Sequence, residues 1–301
     1  MKHFFTFTLT LLFAVTLVAT QANAQQFSKR KQYNSVGVSL NAMNYFGDIT
    51  PKPSIPSLRF GATRPNIGVS FTHRFAPRVS ARAAIAYGRI TGDDAKAADQ
   101  NDPDAKYRYN RNMNFRNDIF EFSAVGIFDL IENRNNYLKR PDFVPYVFAG
   151  VAAFHHNPKG LVSGGNIPAS LEAGSYVDLQ PLRTEGQSSA YSKTLISIPF
   201  GGGVRYKINK SFDVGFEIGW RKTFTDYLDD VSGNYAAPAA LGSDASKYFG
   251  RDITRSTSGE FTGFNTPGEM RGKSNEDDWY IVTGLTVNYI LAPSIKSPKF
   301  R

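Results

Sequence analysis

The chain has 301 residues, carries a formal net charge of +9 and contains no cysteine. The lack of cysteine excludes disulfides and also excludes a bacterial lipoprotein, which needs a cysteine at its mature N-terminus. The lysines and arginines are scattered rather than clustered, so the positive charge favours solubility and attraction to anionic lipid headgroups. We predict no nucleic-acid partner.

The first predicted element is a secretory signal peptide over residues 1–24. A basic head at Lys2 is followed by the apolar run FFTFTLTLLFAVTLVAT and by ANA at 22–24, a small-x-small cleavage site. The alternative is an uncleaved membrane anchor, but the apolar run is short for a stable span. We therefore expect cleavage before Gln25 and a short periplasmic N-terminal segment over 25–35.

Eight later segments alternate between apolar and polar or small residues with a period of two, which is typical of β-strands. They are near or above the ~9–11 residues that a tilted strand needs to cross a bilayer, whereas ordinary soluble strands have about 5–6 residues. The predicted strands are approximately Val36–Asp48, Asn66–Phe75, Arg78–Ile90, Phe115–Leu130, Phe143–His155, Thr194–Ile208, Ser211–Arg221 and Asp278–Ile290.

The connections between these strands alternate between short and long. Shorter links follow the second, fourth and sixth strands, and long links follow the first, third, fifth and seventh. In an up-and-down barrel this places every long loop at one end, as in bacterial outer-membrane barrels with short periplasmic turns and long extracellular loops. We predict an all-β fold, an eight-stranded antiparallel transmembrane β-barrel over 36–291, with a periplasmic tail over 292–301. A soluble β-sandwich is the alternative, but it has no reason to sort its loops by side.

The seventh strand has bulky apolar side chains on one face and charged residues or glycines on the other. In a lipid-embedded barrel the apolar face points outward and the charged face lines the lumen. We expect mutual pairing of these charges, with Lys207 near Asp213 and Arg205 diagonal to Glu217. Such a network either plugs a narrow barrel or lines a selective channel, and we favour the plug. The candidate lumen network comprises Arg82, Glu121, Arg205, Lys207, Asp213, Glu217 and Arg221.

The sequence does not indicate catalytic chemistry. His73, His155 and His156 have no serine and acid at a recognisable triad spacing. The adjacent pair would point to opposite faces of a strand, which is unsuitable for holding one metal ion. We therefore predict a protein that is not an enzyme and has neither a cofactor nor a metal.

An acidic segment, TFTDYLDDVSGNY, follows the seventh strand. Asp226, Asp229 and Asp230 offer oxygen ligands for calcium, although their spacing differs from that of an EF-hand loop. The alternative, which we favour, is an exposed acidic turn in which the aspartates cap backbone amides.

Three blocks of sequence resemble the PorG-like barrels associated with the type IX secretion system. They are RKTFTDYLDDVSGNY, RGKSNEDDWYIVTGLTVNYIL near the C-terminus, and NYFGD at the end of the first strand. The resemblance implies an eight-stranded outer-membrane barrel that follows a signal peptide and contacts a periplasmic ring lipoprotein of the secretion machine. It also implies a family signature made of Thr225, Asp226, Tyr227, Leu228, Asp229, Asp230, Ser232, Gly233 and Tyr235.

Three functions compete for such a barrel. The first is a non-catalytic accessory of type IX secretion that contacts the ring lipoprotein through IENRNNYLKRPD or through the tail APSIKSPKFR. The second is an OmpX/OmpA-like barrel for surface binding or membrane integrity, acting through its extracellular loops. The third is a narrow channel. The expected location is the bacterial outer membrane, with outer-membrane lipid and lipopolysaccharide as surrounding partners.

Overall fold

The computed structural model describes residues 31–49, 60–98, 108, 111–164, 167–251 and 266–292. The predicted signal peptide over 1–24 lies outside the described residues. So do residues 25–30 of the predicted N-terminal segment and 293–301 of the predicted tail. A search of the described residues for helices finds none that is long and apolar enough to cross a membrane.

Nine strands account for most of the described chain. The eight long strands coincide with the eight predicted segments apart from their ends. The extra strand, β6, was not predicted because three residues are too few to show a period of two; it pairs with the end of β5. The strands are β1 (Tyr33–Phe46), β2 (Arg64–Arg74), β3 (Val79–Asp93), β4 (Asn114–Asp129), β5 (Phe143–Leu161), β6 (Tyr176–Asp178), β7 (Thr194–Lys207), β8 (Phe212–Thr223) and β9 (Trp279–Leu291).

The eight long strands form a closed antiparallel barrel. Successive strands pair in chain order, β5 pairs with β7, and β1 closes the ring by pairing with β9. The prediction of an eight-stranded up-and-down barrel is confirmed. Because the ring is closed, each of the eight long strands pairs with a neighbour on both sides, which is the requirement for strands in hydrocarbon.

Exposed apolar side chains cover the outside of the barrel. Along β4, Phe120 and Phe122 are 50% and 52% exposed, whereas Glu121 between them is buried. A closed barrel with an apolar exterior and a partly charged interior is the inverse of a soluble β-protein, and it matches a barrel embedded in the outer membrane. Other strands contribute exposed residues of the same kind, including Leu40, Ile67, Val151, Ile196, Phe216 and Leu285.

The lumen is filled by apolar as well as charged side chains. Val125, Ile127, Tyr146 and Phe148 form one buried cluster from β4 and β5. Strands β7 and β8 approach closely at Gly201, where a Cβ atom would lie 2.2 Å from the carbonyl oxygen of Ile218. The interior is therefore less polar than its predicted lining of charges suggested.

The long and shorter connections lie at opposite ends of the barrel. The shorter links include the turn that leads from β4 into β5, which we call the floor turn and define as residues 130–142. At the other end, the described parts of the four long connections and the end of β5 form what we call the outer cap. It has its own apolar core of Val162, Leu179 and Phe249, the last from the helix Asp244–Arg251.

Candidate functional site

Several ion pairs cross the lumen and join strands that are not neighbours, and two of them lie beside the lumen cavity. Arg82 of β3 binds both carboxylate oxygens of Glu217 of β8, with 2.9 Å between Arg82 Nη2 and Glu217 Oε2. The hydroxyl of Tyr146 donates to the same carboxylate at 2.6 Å. Arg221 of β8 lies 3.1 Å from Glu121 of β4. The cavity beside these pairs has a volume of about 70 Å³, which is room for only a few water molecules.

Two of the predicted charges have partners other than those expected. Lys207 and Asp213 face each other in the register of β7 and β8. However, Asp213 pairs with Arg140 of the floor turn at 2.7 Å, and Lys207 pairs with Asp142 at 2.9 Å. Because the guanidinium of Arg140 has five N–H donors, it can bind the buried carboxylate of Asp213 and neighbouring carbonyl oxygens at the same time. Arg140 also donates to the backbone carbonyl oxygens of Tyr137, Asn209 and Lys210.

Arg205 is also paired across the barrel rather than within its own hairpin. Its guanidinium lies 2.8 Å from Asp129 of β4, which also binds Arg74 of β2 at 2.5 Å. The predicted proximity of Arg205 to Glu217 considered only β7 and β8. In a narrow closed barrel, a long arginine side chain reaches the opposite wall, and a pattern within one hairpin cannot show this.

The three sequence blocks NYFGD, RKTFTDYLDDVSGNY and RGKSNEDDWYIVTGLTVNYIL meet at the outer rim. The hydroxyl of Tyr45 lies 2.5 Å from the carboxylate of Asp229 and 3.1 Å from that of Asp278. Asp278 also accepts a hydrogen bond of 2.8 Å from the backbone amide of Leu228. Gly47 allows this approach, because a Cβ atom there would lie 1.8 Å from Asp278 Oδ1. Residues far apart in sequence thus form one buried polar centre.

Arg271 holds the second half of this centre. Its guanidinium lies 2.8 Å from Glu185 and 3.7 Å from Asp230, and all three side chains are buried. Glu185 in turn accepts hydrogen bonds from the backbone amides of Ser232 and Gly233, at 2.8 Å and 3.1 Å. The arrangement fixes the turn after β8 against the long loop between β6 and β7.

The segment that we predicted to be an exposed acidic turn is buried, so that prediction is wrong. Asp229 and Asp230 are fully buried, and Asp226 is only 8% exposed. The aspartates do cap backbone amides, as in the 2.9 Å hydrogen bond from the Val231 amide to Asp229. The local sequence could not show that distant segments enclose the turn. The other signature residues are buried at Thr225, Leu228, Ser232 and Tyr235 and half-buried at Tyr227 and Gly233.

Sequence reasoning missed three buried members of the centre, Glu185, Arg111 and Asp94. Arg111 lies 2.7 Å from Asp94 and donates to the carbonyl oxygens of Asp48 and Arg271 at 3.1 Å and 2.5 Å. The missed residues lie in long connections or at their ends and belong to no quoted block. Asp48 and Arg271, in contrast, belong to the quoted blocks.

The rim aspartates, which lie outside the membrane-spanning strands, retain their protons more readily than usual. Burial, with a contribution from nearby Asp48, raises the pKa of Asp226 to about 8. Burial also raises the pKa values of Asp229 and Asp278, and the neighbouring carboxylates raise both further. The centre therefore contains more carboxylates than its arginines neutralise.

The histidines of the described chain make structural contacts. His156 is fully buried, with Nε2 3.2 Å from the Ser192 carbonyl oxygen and Nδ1 3.2 Å from the Asn117 amide nitrogen. The other two contact side-chain oxygens, His73 that of Asn34 and His155 that of Thr194. These contacts do not form a Ser-His-acid arrangement.

The fold and the site define an integral outer-membrane β-barrel protein with a filled lumen and an ordered outer cap. The chain belongs to a family described as Domain of unknown function (DUF6089), which matches residues 9–242. A search of the curated proteins finds no match to the sequence.

The structure is similar to solved outer-membrane proteins. Ail, the attachment invasion locus protein of Yersinia pestis, is 7% identical, and the match covers 87% of this chain and 99% of Ail with a TM-score of 0.39. Neisserial surface protein A is 11% identical, with coverage of 85% and 96% and a TM-score of 0.38. OprG from Pseudomonas aeruginosa is 10% identical, with coverage of 89% and 99% and a TM-score of 0.36. Because these values are low, the fold assignment depends on the strand pairing of this chain.

Proposed function

We propose that this barrel is a non-catalytic, PorG-like accessory component of type IX protein secretion, and that it contacts a periplasmic ring lipoprotein. The observation that carries the proposal is the ordered floor turn, which coincides with the segment IENRNNYLKRPD. With the short turns on the periplasmic side, this turn faces the compartment in which such a lipoprotein would lie.

The floor turn is held by contacts with the barrel and with a neighbouring turn, and it has exposed apolar side chains. Arg140 binds buried Asp213, and the Asn133 amide donates to the carbonyl oxygen of Pro77 in the neighbouring turn at 2.9 Å. Ile131 and Leu138 are each 41% exposed. A surface that is already ordered loses less conformational entropy on binding, so it suits a stable contact with a partner.

The resemblance to PorG-like barrels adds support because its three blocks form one structural unit. Tyr45, Asp229 and Arg271 come from different blocks and belong to the same buried centre. Similarity confined to these blocks is therefore similarity in one three-dimensional feature, the base of the outer cap.

Deletion of the gene, followed by comparison of the proteins in the culture medium with those of the parent strain, tests this proposal. We expect the loss of a set of exported proteins while other outer-membrane proteins remain. Leu138→Asp should reproduce the loss and reduce crosslinking from Lys139 to the ring lipoprotein. Met270→Asp is the matched control, because Met270 is 50% exposed but lies on the outer cap. Unchanged secretion in the deletion strain would overturn the proposal.

A second candidate function is surface binding or membrane integrity, of the OmpX/OmpA type. The observation that favours it is the ordered outer cap, which presents a defined surface to the outside. Its exposed surface includes Lys247 on the helix Asp244–Arg251, whose other side buries Phe249. Lys247→Glu should weaken attachment of cells to their ligand and leave secretion unchanged if this function is correct. Normal attachment by a strain that lacks the gene would exclude it.

A further inference from the structure

Four carboxylates lie near one another where the barrel meets the outer cap, and three of them act electrostatically on the fourth, Asp278. They belong to Asp48 after β1, Asp226 and Asp229 after β8, and Asp278 before β9. Asp229 and Asp278 are fully buried and are bridged by the hydroxyl of Tyr45. Asp48 is half-buried, so it connects the group to the outside.

The cations nearest to this group form ion pairs with other carboxylates. Arg111 pairs with Asp94 at 2.7 Å, and Arg271 pairs with Glu185 at 2.8 Å. Within the described ranges, the ion pairs do not include any of the four aspartates. Arg111 and Arg271 attract the carboxylate of Asp48, and Arg111 attracts that of Asp229, but the two arginines do not neutralise four additional carboxylates. Incompletely neutralised buried charge is strongly unfavourable, so protons or a bound cation would stabilise the group.

Asp226 differs from its three neighbours in its hydrogen bonding. Asp229 accepts from the Val231 amide, Asp278 from the Leu228 amide and Asp48 from the Lys273 amide. Both oxygens of Asp226 are buried, and neither has a hydrogen-bond partner. The nearby Ser232 lowers the pKa of Asp226, but less than burial raises it. A buried carboxylate without a donor is unusual and calls for a ligand.

We infer that Asp226, together with Asp48, Asp229 and Asp278, binds a divalent cation of the calcium class. Carboxylate and carbonyl oxygens are the ligands that Ca²⁺ prefers, and its variable coordination suits an irregular site. No three acidic or histidine side chains of the described chain are already arranged around one point. Asp226 is the group that can turn to complete the site, because it has no hydrogen bond to lose. The cation would join the turn after β8 to the ends of β1 and β9.

Calcium titration of the purified full-length protein in lipid vesicles tests this inference without any secretion assay. We expect one Ca²⁺ per chain by calorimetry. At calcium concentrations about 100 times the dissociation constant, the midpoint of thermal unfolding should rise by roughly 5–10 °C. Asp226→Asn should abolish both effects. Asp244→Asn is the matched control, because Asp244 is an exposed aspartate of the same cap, and it should respond as the parent protein does.

Three results would overturn the inference. The first is the absence of calcium binding by the parent protein. The second is Asp226→Asn unfolding at or above the parent midpoint in calcium, which would mean that Asp226 carries a proton rather than a cation. The third is a full calcium response in Asp226→Asn, which would place the ion elsewhere. Calorimetry decides the case even if the variant is too unstable for a thermal comparison, because it measures binding by the parent protein directly.

Discussion

Replacing Glu217 with glutamine removes the charge that neutralises Arg82 in the middle of the barrel. The two side chains are only 16% and 15% exposed, so water does not readily replace the lost partner. Breaking a buried ion pair on one side costs about 3–5 kcal/mol. The Cζ atom of Arg82 also lies 5.2 Å from the ring centre of Phe148. A cation–π contact contributes only about 0.5–2 kcal/mol, so it does not replace the lost carboxylate. Because the glutamine oxygen still accepts one hydrogen bond, we expect Glu217→Gln to lower the free energy of unfolding by about 3 kcal/mol.

Urea unfolding in lipid vesicles measures this change, with the two tryptophans, Trp220 and Trp279, as the fluorescent probe. Asp142→Asn is the matched control, because it removes a carboxylate that binds Lys207 but is 76% exposed. The control should change the free energy of unfolding by about 0–1 kcal/mol. Equal effects of the two substitutions would refute the reasoning and would show that water in the lumen cavity solvates Arg82.

Three further predictions concern the floor, the rim and the lumen. Arg140→Ala removes the donor to Asp213, so chymotrypsin should cleave the floor turn faster while the barrel stays folded; an unchanged cleavage rate would contradict this. Gly47→Ala forces a Cβ atom against Asp278 and should cost about 1–3 kcal/mol, which limited proteolysis of the outer cap on intact cells would detect as new cuts. The parent protein should show no stepwise conductance in planar bilayers, because ion pairs cross its lumen; regular conductance steps would instead favour the channel.

The barrel could be predicted from the sequence because its signals are local and repeat. Alternation in segments such as Phe212–Thr223 shows which face meets lipid, and the alternation of loop lengths shows the up-and-down order. The strand Tyr176–Asp178 could not be predicted, because it is defined by its pairing with the distant end of β5 and not by a pattern of its own. The apolar core of the outer cap could not be predicted either, because it joins Val162, Leu179 and Phe249 from separate parts of the chain.

The sequence indicates many of the charged residues of the candidate sites but not which of them are in contact. The register that places Lys207 opposite Asp213 follows from a tight hairpin. The actual partner of Asp213 is Arg140, which arrives from a turn that carries no strand pattern. At the rim, the sequence places Asp226 and Asp229 beside Asp230. The fold instead turns Asp230 toward Arg271 and brings Asp48 and Asp278 to the other two. Local spacing therefore identifies the acidic segment but not the residues that surround it in the fold.

The contact between Tyr45 and Asp278 means that the buried centre of the outer cap can form only after the first and last strands have paired. Tyr45 lies in the first strand, β1, and faces Tyr280 in the last strand, β9. Asp278 lies two residues before Tyr280 in the chain. The buried centre cannot assemble while these two strands are apart, even if every other hairpin has formed. Burial of Asp229 therefore reports that the ring has closed. A chain trapped during membrane insertion would still expose this acidic segment, which distinguishes an unfinished barrel from a finished one at the cell surface.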